Sequence, residues 1–225
     1  MMTNLFSTFD PATSMNYSMN WISTMMIIVI MPFPFWLLPN RNTMMYTKVI
    51  KKLHEEFKML MTTNQSKGMT LMTISLFMFI LTNNFMGLMP YIFTSSSHLV
   101  FSLALALPLW LSMMIFGWSK NSKAMFAHLV PSGTPNILMP FMVIIETISN
   151  IIRPGSLAVR LTANMIAGHL LMSLLGNKSL NVNYMILYMI IMIQMMLMLF
   201  EAAVAIIQAY VFSVLTTLYS SEVMH

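Results

Sequence analysis

Residues 183–220 read NYMILYMIIMIQMMLMLFEAAVAIIQAYVFSVLTTLYS, a run of 38 residues without glycine or proline. A helix of that length extends about 57 Å, at 1.5 Å per residue. A bilayer's hydrocarbon core is about 30 Å thick. A tight hairpin of two spans needs a turn signal, and the middle of this run carries none. One helix is left, lying across the membrane at a tilt of about 60°, beyond the usual 0–40°. Such a helix needs a partner to hold it.

Composition agrees with a membrane setting. The chain has 225 residues, 58% hydrophobic and 8% charged, where a soluble domain is about 25% charged. Of eleven Lys and Arg, six (Arg41, Lys48, Lys51, Lys52, Lys58 and Lys67) fall between residues 41 and 67. In an integral membrane protein such a cluster marks one face of the bilayer rather than a nucleic-acid site. With no cysteine, disulfides, thiolate metal sites and thiol nucleophiles are excluded. No Lys or Arg precedes Arg41, so the first apolar stretch reads as a retained span, not a targeting segment. The 30 methionines read as apolar filler.

These features predict one all-α membrane domain over 1–225, with about five crossing helices. The first span is expected at 21–38, kinked by Pro32 and Pro34. At 43–61, Val49, Leu53, Phe57 and Leu60 recur at helical spacing among charges, which predicts an amphipathic helix on the basic face. His54 there reads as an ordinary surface residue. Spans follow at 69–89 and 98–118, joined by the uncharged PYIFTSSS. Lys120 and Lys123 come next, then a broken lead-in at 125–136 with Pro131, Gly133 and Pro135. His98 and His128 read as interfacial. The last third is a hairpin of two long tilted helices, 137–175 and 183–220, the first interrupted at Pro154–Gly155 and ended by Gly176. Positive charge places residues 40–68 and 119–124 inside, with the N-terminus and 90–97 outside and the C-terminus inside.

Polar residues on the hairpin are few. The first helix carries Glu146, Arg153, Arg160, Asn164 and His169; the second carries Gln194, Glu201 and Gln208 at intervals of seven. Seven residues are about two turns, so the latter three form a stripe. Arg160 and Asn164 share a face, whereas His169 lies about half a turn from Arg160. Ionisable groups inside a bilayer mark ion or proton pathways. By depth, Glu146 is expected near the inner end, Arg160 and Glu201 near mid-membrane, and His169 toward the outer end. A structural Arg160–Glu201 pair and hydrogen bonding of Gln194 to a neighbouring helix are the plainer readings. Arg153 is the rival central cation, less favoured because it lies nearer the inner end.

The stretch LAVRLTANMIAGHLL (157–171) resembles the signature of subunit a of the ATP synthase membrane sector, whose mitochondrial form is called ATPase subunit 6. TNNFMGLMPYIF (82–93), LALALPLWL (103–111), HLVPSGTP (128–135), IIETIS (144–149) and EAAVAIIQAYVFSVL (201–215) extend the resemblance over nearly the whole chain. Vertebrate members lack the additional arginine at position 153, which on this reading stays outside the core mechanism.

The resemblance implies a stator subunit, not catalytic alone, in the mitochondrial inner membrane, with its N-terminus in the intermembrane space and its C-terminus in the matrix. It implies a ring of small two-helix c subunits, each with an essential carboxylate opposite Arg160, and peripheral-stalk and other membrane-sector partners. It implies no cofactor, metal or nucleic acid. His169 and Glu201 would belong to an outer proton half-channel and Glu146 to a matrix one, with Arg160 between and Asn164 and Gln208 close by. An arginine cannot be deprotonated in a protein, so it would block direct proton passage and favour the ionised form of a carboxylate arriving on the ring. Ala202, Ala203 and Ala205 would permit close approach to that ring. The alternatives are a secondary transporter, for which no internal repeat is seen, a proton-translocating respiratory-chain subunit, which would have more spans, and a purely structural membrane subunit, for which the polar ladder would be unnecessary.

Overall fold

The computed structural model describes residues 5–14, 17–32, 36–61, 68–130, 135, 137–179 and 183–224. Pro34, Lys67, Pro131 and Gly133, and the middle of the expected 176–183 connection, lie outside these residues.

The described residues are helical almost throughout. The elements are α1 (Met26–Ile30), α2 (Arg41–Leu60), α3 (Met69–Leu88), α4 (Leu99–Lys120), α5 (Ser122–His128), α6 (Met139–Ser179) and α7 (Tyr184–Met224). Tight 3₁₀ turns occupy Leu5–Phe9, Met19–Met25 and Ser95–Ser97. Among the described residues four helices, α3, α4, α6 and α7, are long and apolar enough to cross a bilayer, and a shorter apolar helix spans Met19–Ile30.

Within the first expected span, 21–38, the described helix runs to Ile30 and Met31 is extended; residues 33–35 of that span lie outside the described residues. Pro32 removes a backbone donor just beyond.

α6 corrects one expectation. It has 41 residues and continues through Pro154, Gly155 and Gly176. Pro154 is buried beside Ala106, Leu109 and Trp110 of α4. Packing there holds the helix despite the missing backbone donor, as neighbouring helices often do in membranes. α7 also has 41 residues. Each helix is therefore about 62 Å long, and only a strong tilt fits such a rod into a bilayer about 30 Å thick.

The α6–α7 hairpin packs on the α3–α4 hairpin. α3 lies along α7 and α4 along α6. The shared core comprises Phe77 and Ile80 of α3, Ala106 and Leu109 of α4, Leu157, Ala158 and Leu161 of α6, and Ala209 and Phe212 of α7. Alanines at three of these contacts let the backbones approach. Burial on α6 recurs at Pro154, Leu157, Ala158, Leu161, Thr162 and Met165, a stripe at helical spacing. α2 joins the bundle through Phe57, which is wholly buried, and through Leu53 at the core's edge. Its lysines stay exposed. The bundle thus has a basic end near α2 and α5 and a far end holding residues 89–98, the end of α6 at Ser179 and the start of α7 at Tyr184.

Candidate functional site

The register of the last hairpin positions its polar groups. A Cβ added at Gly168 would stand 2.6 Å from Glu201 Oε1, and one at Gly176 would stand 3.8 Å from Gln194 Nε2. Running back along both helices, the same register brings Arg160 level with Ala209, beside Gln208. The register fixes where the carboxylate stands along the hairpin. Glu201 is not level with Arg160 but stands about 12 Å farther along α6, at the His169 end. It is too far away to pair with the arginine.

Arg160 is exposed and makes no hydrogen bond or ion pair among the described residues. It lies opposite the packed stripe of its own helix. Ser156, Val159, Ala163, Asn164 and Ala167 are exposed with it at helical spacing. On α7, Leu199, Ala203, Ile206, Ile207 and Tyr210 are likewise exposed, while Gln208 is half-buried. The outward surface is small and apolar, with one permanent cation and one amide on α6. Ala205, expected to face an external ring, is instead buried, its carbonyl accepting from Asn84 Nδ2 at 3.4 Å.

The far end carries a polar interior. His169 Nε2 and Glu201 Oε1 are both buried without a hydrogen-bond partner. Asn83, Asn84, Thr94, Ser95, Ser96, Ser97 and Ser102 are buried nearby in the α3–α4 connection and its flanking turns. Ser95 donates to Asn83 Oδ1 at 3.4 Å, and the Ser95–Ser97 turn packs on α6. Asn84 meets α7 one turn from Glu201. Asn84 Oδ1 and Ser96 Oγ are also buried without partners. Buried polar groups normally find partners; so many unmet ones together set this end apart from an ordinary core.

The basic end holds a cavity of about 530 Å³, lined among others by Trp110, His128, Glu146, Arg153, Tyr219 and Glu222. Arg153 is its organising charge. One guanidinium nitrogen donates to Glu222 Oε2 at 3.0 Å and another to Glu146 Oε1 at 3.5 Å. The same group lies 5.0 Å over the Tyr219 ring. A smaller void of about 20 Å³, lined by Pro154, Leu157 and Thr216, lies among the same helices. Arg153, read as peripheral, thus joins Glu146.

The structure therefore brings Glu201 and His169 together at one end and Glu146 and Arg153 at the other, with Arg160 and Asn164 on an outward face between. Gln194 sits beside Gly176, apart from both groups. Glu222, Tyr219, Asn83, Asn84 and the three serines were not legible as site residues. Glu222 did leave a signal: it falls on the seven-residue count of Gln194, Glu201 and Gln208, two steps beyond the last. Among the described residues no group of His, Asp and Glu could hold a metal ion.

A family profile described as ATP synthase A chain matches residues 17–221. The chain is 61% identical to ATP synthase subunit a of Anopheles quadrimaculatus over 225 residues, covering 99% of this chain and all of that one. It is 59% identical to ATP synthase subunit a of Drosophila melanogaster over 223 residues and 58% identical to that of Locusta migratoria over 224, each again covering 99% of this chain and all of the relative.

Proposed function

Because the chain belongs to the ATP synthase A chain family and so to the membrane sector of that enzyme, we propose that it is the stator of a proton-driven rotary motor. In this reading two half-channels are separated by Arg160. The observation that carries it is the arginine's exposure on an apolar outward face with no partner among the described residues. A charge facing lipid at mid-membrane costs several kcal/mol. Its counter-charge therefore comes from outside the chain, as a carboxylate on each subunit of an adjoining c-ring.

The outer half-channel is formed by the polar interior around Glu201 and His169. The inner one is the cavity around Glu146, Arg153 and Glu222. A proton taken in at the far end reaches an emptied ring carboxylate by way of Glu201. The neutral site turns into lipid, where an ionised one is penalised. After nearly a full turn it loses its proton toward the basic end. Arg160 stabilises the resulting carboxylate and, always protonated itself, denies protons a direct route. Net flow then requires rotation. Asn164, on the same face, and Gln208, level with the arginine, flank the point where the ring site passes.

The exposed basic residues of α2 support a mitochondrial-matrix location for that end by the positive-inside rule. The N-terminus then lies in the intermembrane space and the C-terminus in the matrix. Contact of Phe9 with His169 supports a far-end N-terminus.

The chain's lack of cysteine makes cross-linking clean. With a second cysteine beside the ring carboxylate, Ala163→Cys on the exposed face is expected to form a disulfide to a c subunit. Ala158→Cys on the buried face is expected to form none. Cross-linking of both, or of neither, would overturn the outward assignment of Arg160.

A further inference from the structure

The far-end site is covered by a segment that the proton path as described does not use. Phe9, at the end of the Leu5–Phe9 turn, sets its ring nearly perpendicular to the His169 imidazole, with centroids 6.3 Å apart and planes at 84°. The Phe9 carbonyl accepts a hydrogen bond from His98 Nε2 at 2.9 Å. His98 is itself held. Its ring stacks on Phe93 at 5.1 Å and tilts against Trp21 at 5.3 Å. Trp21 and Phe93 also meet edge to face at 5.6 Å, and Ser23 donates to the Phe93 carbonyl at 3.3 Å. A second tie closes the segment on itself, from Asn20 Nδ2 to the Asp10 carbonyl at 3.2 Å. Contacts thus run from the 19–25 helix through His98 and Phe9 to His169.

We propose that Phe9 is a positioning residue for His169, and that His98 in its Trp21–Phe93 cage is the post to which Phe9 is fastened. An edge-to-face aromatic pair fixes a ring's orientation as well as covering it. His169 Nε2 has no partner among the described residues, so no hydrogen bond described at that atom sets the rotamer; the Phe9 ring limits it from its own side. Direct access from the outer solution is narrowed, which leaves the polar side lined by residues 94–97 as the way in. His98, read from sequence as interfacial, thereby acquires a role through Phe9. The functional consequence rests on the assignment of His169 to the outer half-channel; the positioning itself does not.

The test uses the intact ATP synthase in sealed vesicles with its far end accessible. Histidine acylation by diethyl pyrocarbonate is followed residue by residue by mass spectrometry, alongside ATP-driven proton pumping. Phe9→Ala and Phe9→Leu are expected to raise the acylation rate of His169 several-fold and to lower pumping. Phe9→Tyr, which keeps the ring edge, is expected to leave both near the unsubstituted level. His98→Ala is expected to behave like Phe9→Ala, and His98→Gln, which keeps an N–H donor, to restore much of the protection. The His98 pair carries the test alone if Phe9→Ala fails to assemble. Unchanged His169 acylation in Phe9→Ala, or in His98→Ala where that pair carries the test, would overturn the proposal. A pumping rate unaffected by His169→Ala would instead overturn the half-channel assignment, while the acylation rates still report on positioning.

Discussion

Glu201 lies across the backbone of Gly168, one residue before His169. A Cβ at that glycine would stand 2.7 Å from the carboxyl carbon and 3.0 Å from Cγ. The side chain can reach its position only because nothing projects from residue 168. Gly168→Ala is therefore expected to displace the carboxylate while leaving the helix intact, since alanine is a good helix former. Proton flux should fall by on the order of tenfold or more, as displacements near 1 Å can cost that much. Combining it with Glu201→Asp, one methylene shorter, should recover part of the loss. Flux measured on assembled complexes checks both, and a normal rate in the single variant would show that the contact is irrelevant.

Arg153 holds two carboxylates at the basic end, with its side chain 27% exposed and those of Glu146 and Glu222 37% and 57% exposed. Ion pairs this open to solvent contribute about 1 kcal/mol or less each. Arg153→Gln should accordingly lower thermal stability only slightly yet slow proton release, because Glu146 and Glu222 lose their shared partner. Arg153→Lys should rescue poorly, since an ammonium lacks the planar fork that bonds both acids. Thermal unfolding and flux on the same preparations separate the two effects.

Asn84 is buried, spends one N–H on the Ala205 carbonyl and leaves its Oδ1 unmet. The Ala205 carbonyl lies inside α7 and keeps its place in the helix ladder, so losing the Asn84 donor leaves no buried acceptor wholly unpaired. Asn84→Leu is thus expected to assemble normally and to carry less proton flux. Loss of assembly with no specific loss of flux would make Asn84 a packing residue.

Core packing gives a prediction on stability alone. Ala158 and Ala209 have no exposed surface and sit where the long hairpin meets α3 and α4. Leucine at either site should cost about 1–3 kcal/mol by overpacking. Phe212→Ala, at 2% exposure, should cost about 3–5 kcal/mol by leaving a cavity. Unfolding in detergent, monitored by circular dichroism, reads both.

The architecture was legible where apolar length alone decides. The unbroken run of α7 left no room for a turn, and α2 announced itself by periodic apolar residues among charges. Proline misled at one place. At Pro154 the helix continues, because α4 packs against the ring and compensates locally for a missing hydrogen bond. That outcome is not encoded near the proline itself. Within the site, the charged residues of α6 were visible because a charge in an apolar helix stands out. The uncharged Asn83, Asn84 and Ser95–Ser97 were not, since their significance comes from folding beside Glu201 and His169. The place of Glu201 along the hairpin, beside Gly168, was not visible either, because the register of two helices is set by contacts that no single helix reveals.

The account turns on Arg160 as the seal between two half-channels. Proton flux through the reconstituted membrane sector should be measured with Arg160→Gln, with and without ATP driving the motor. The account predicts that ATP-driven pumping is abolished while a passive leak persists or grows. Coupled pumping at a normal rate in that variant would contradict it.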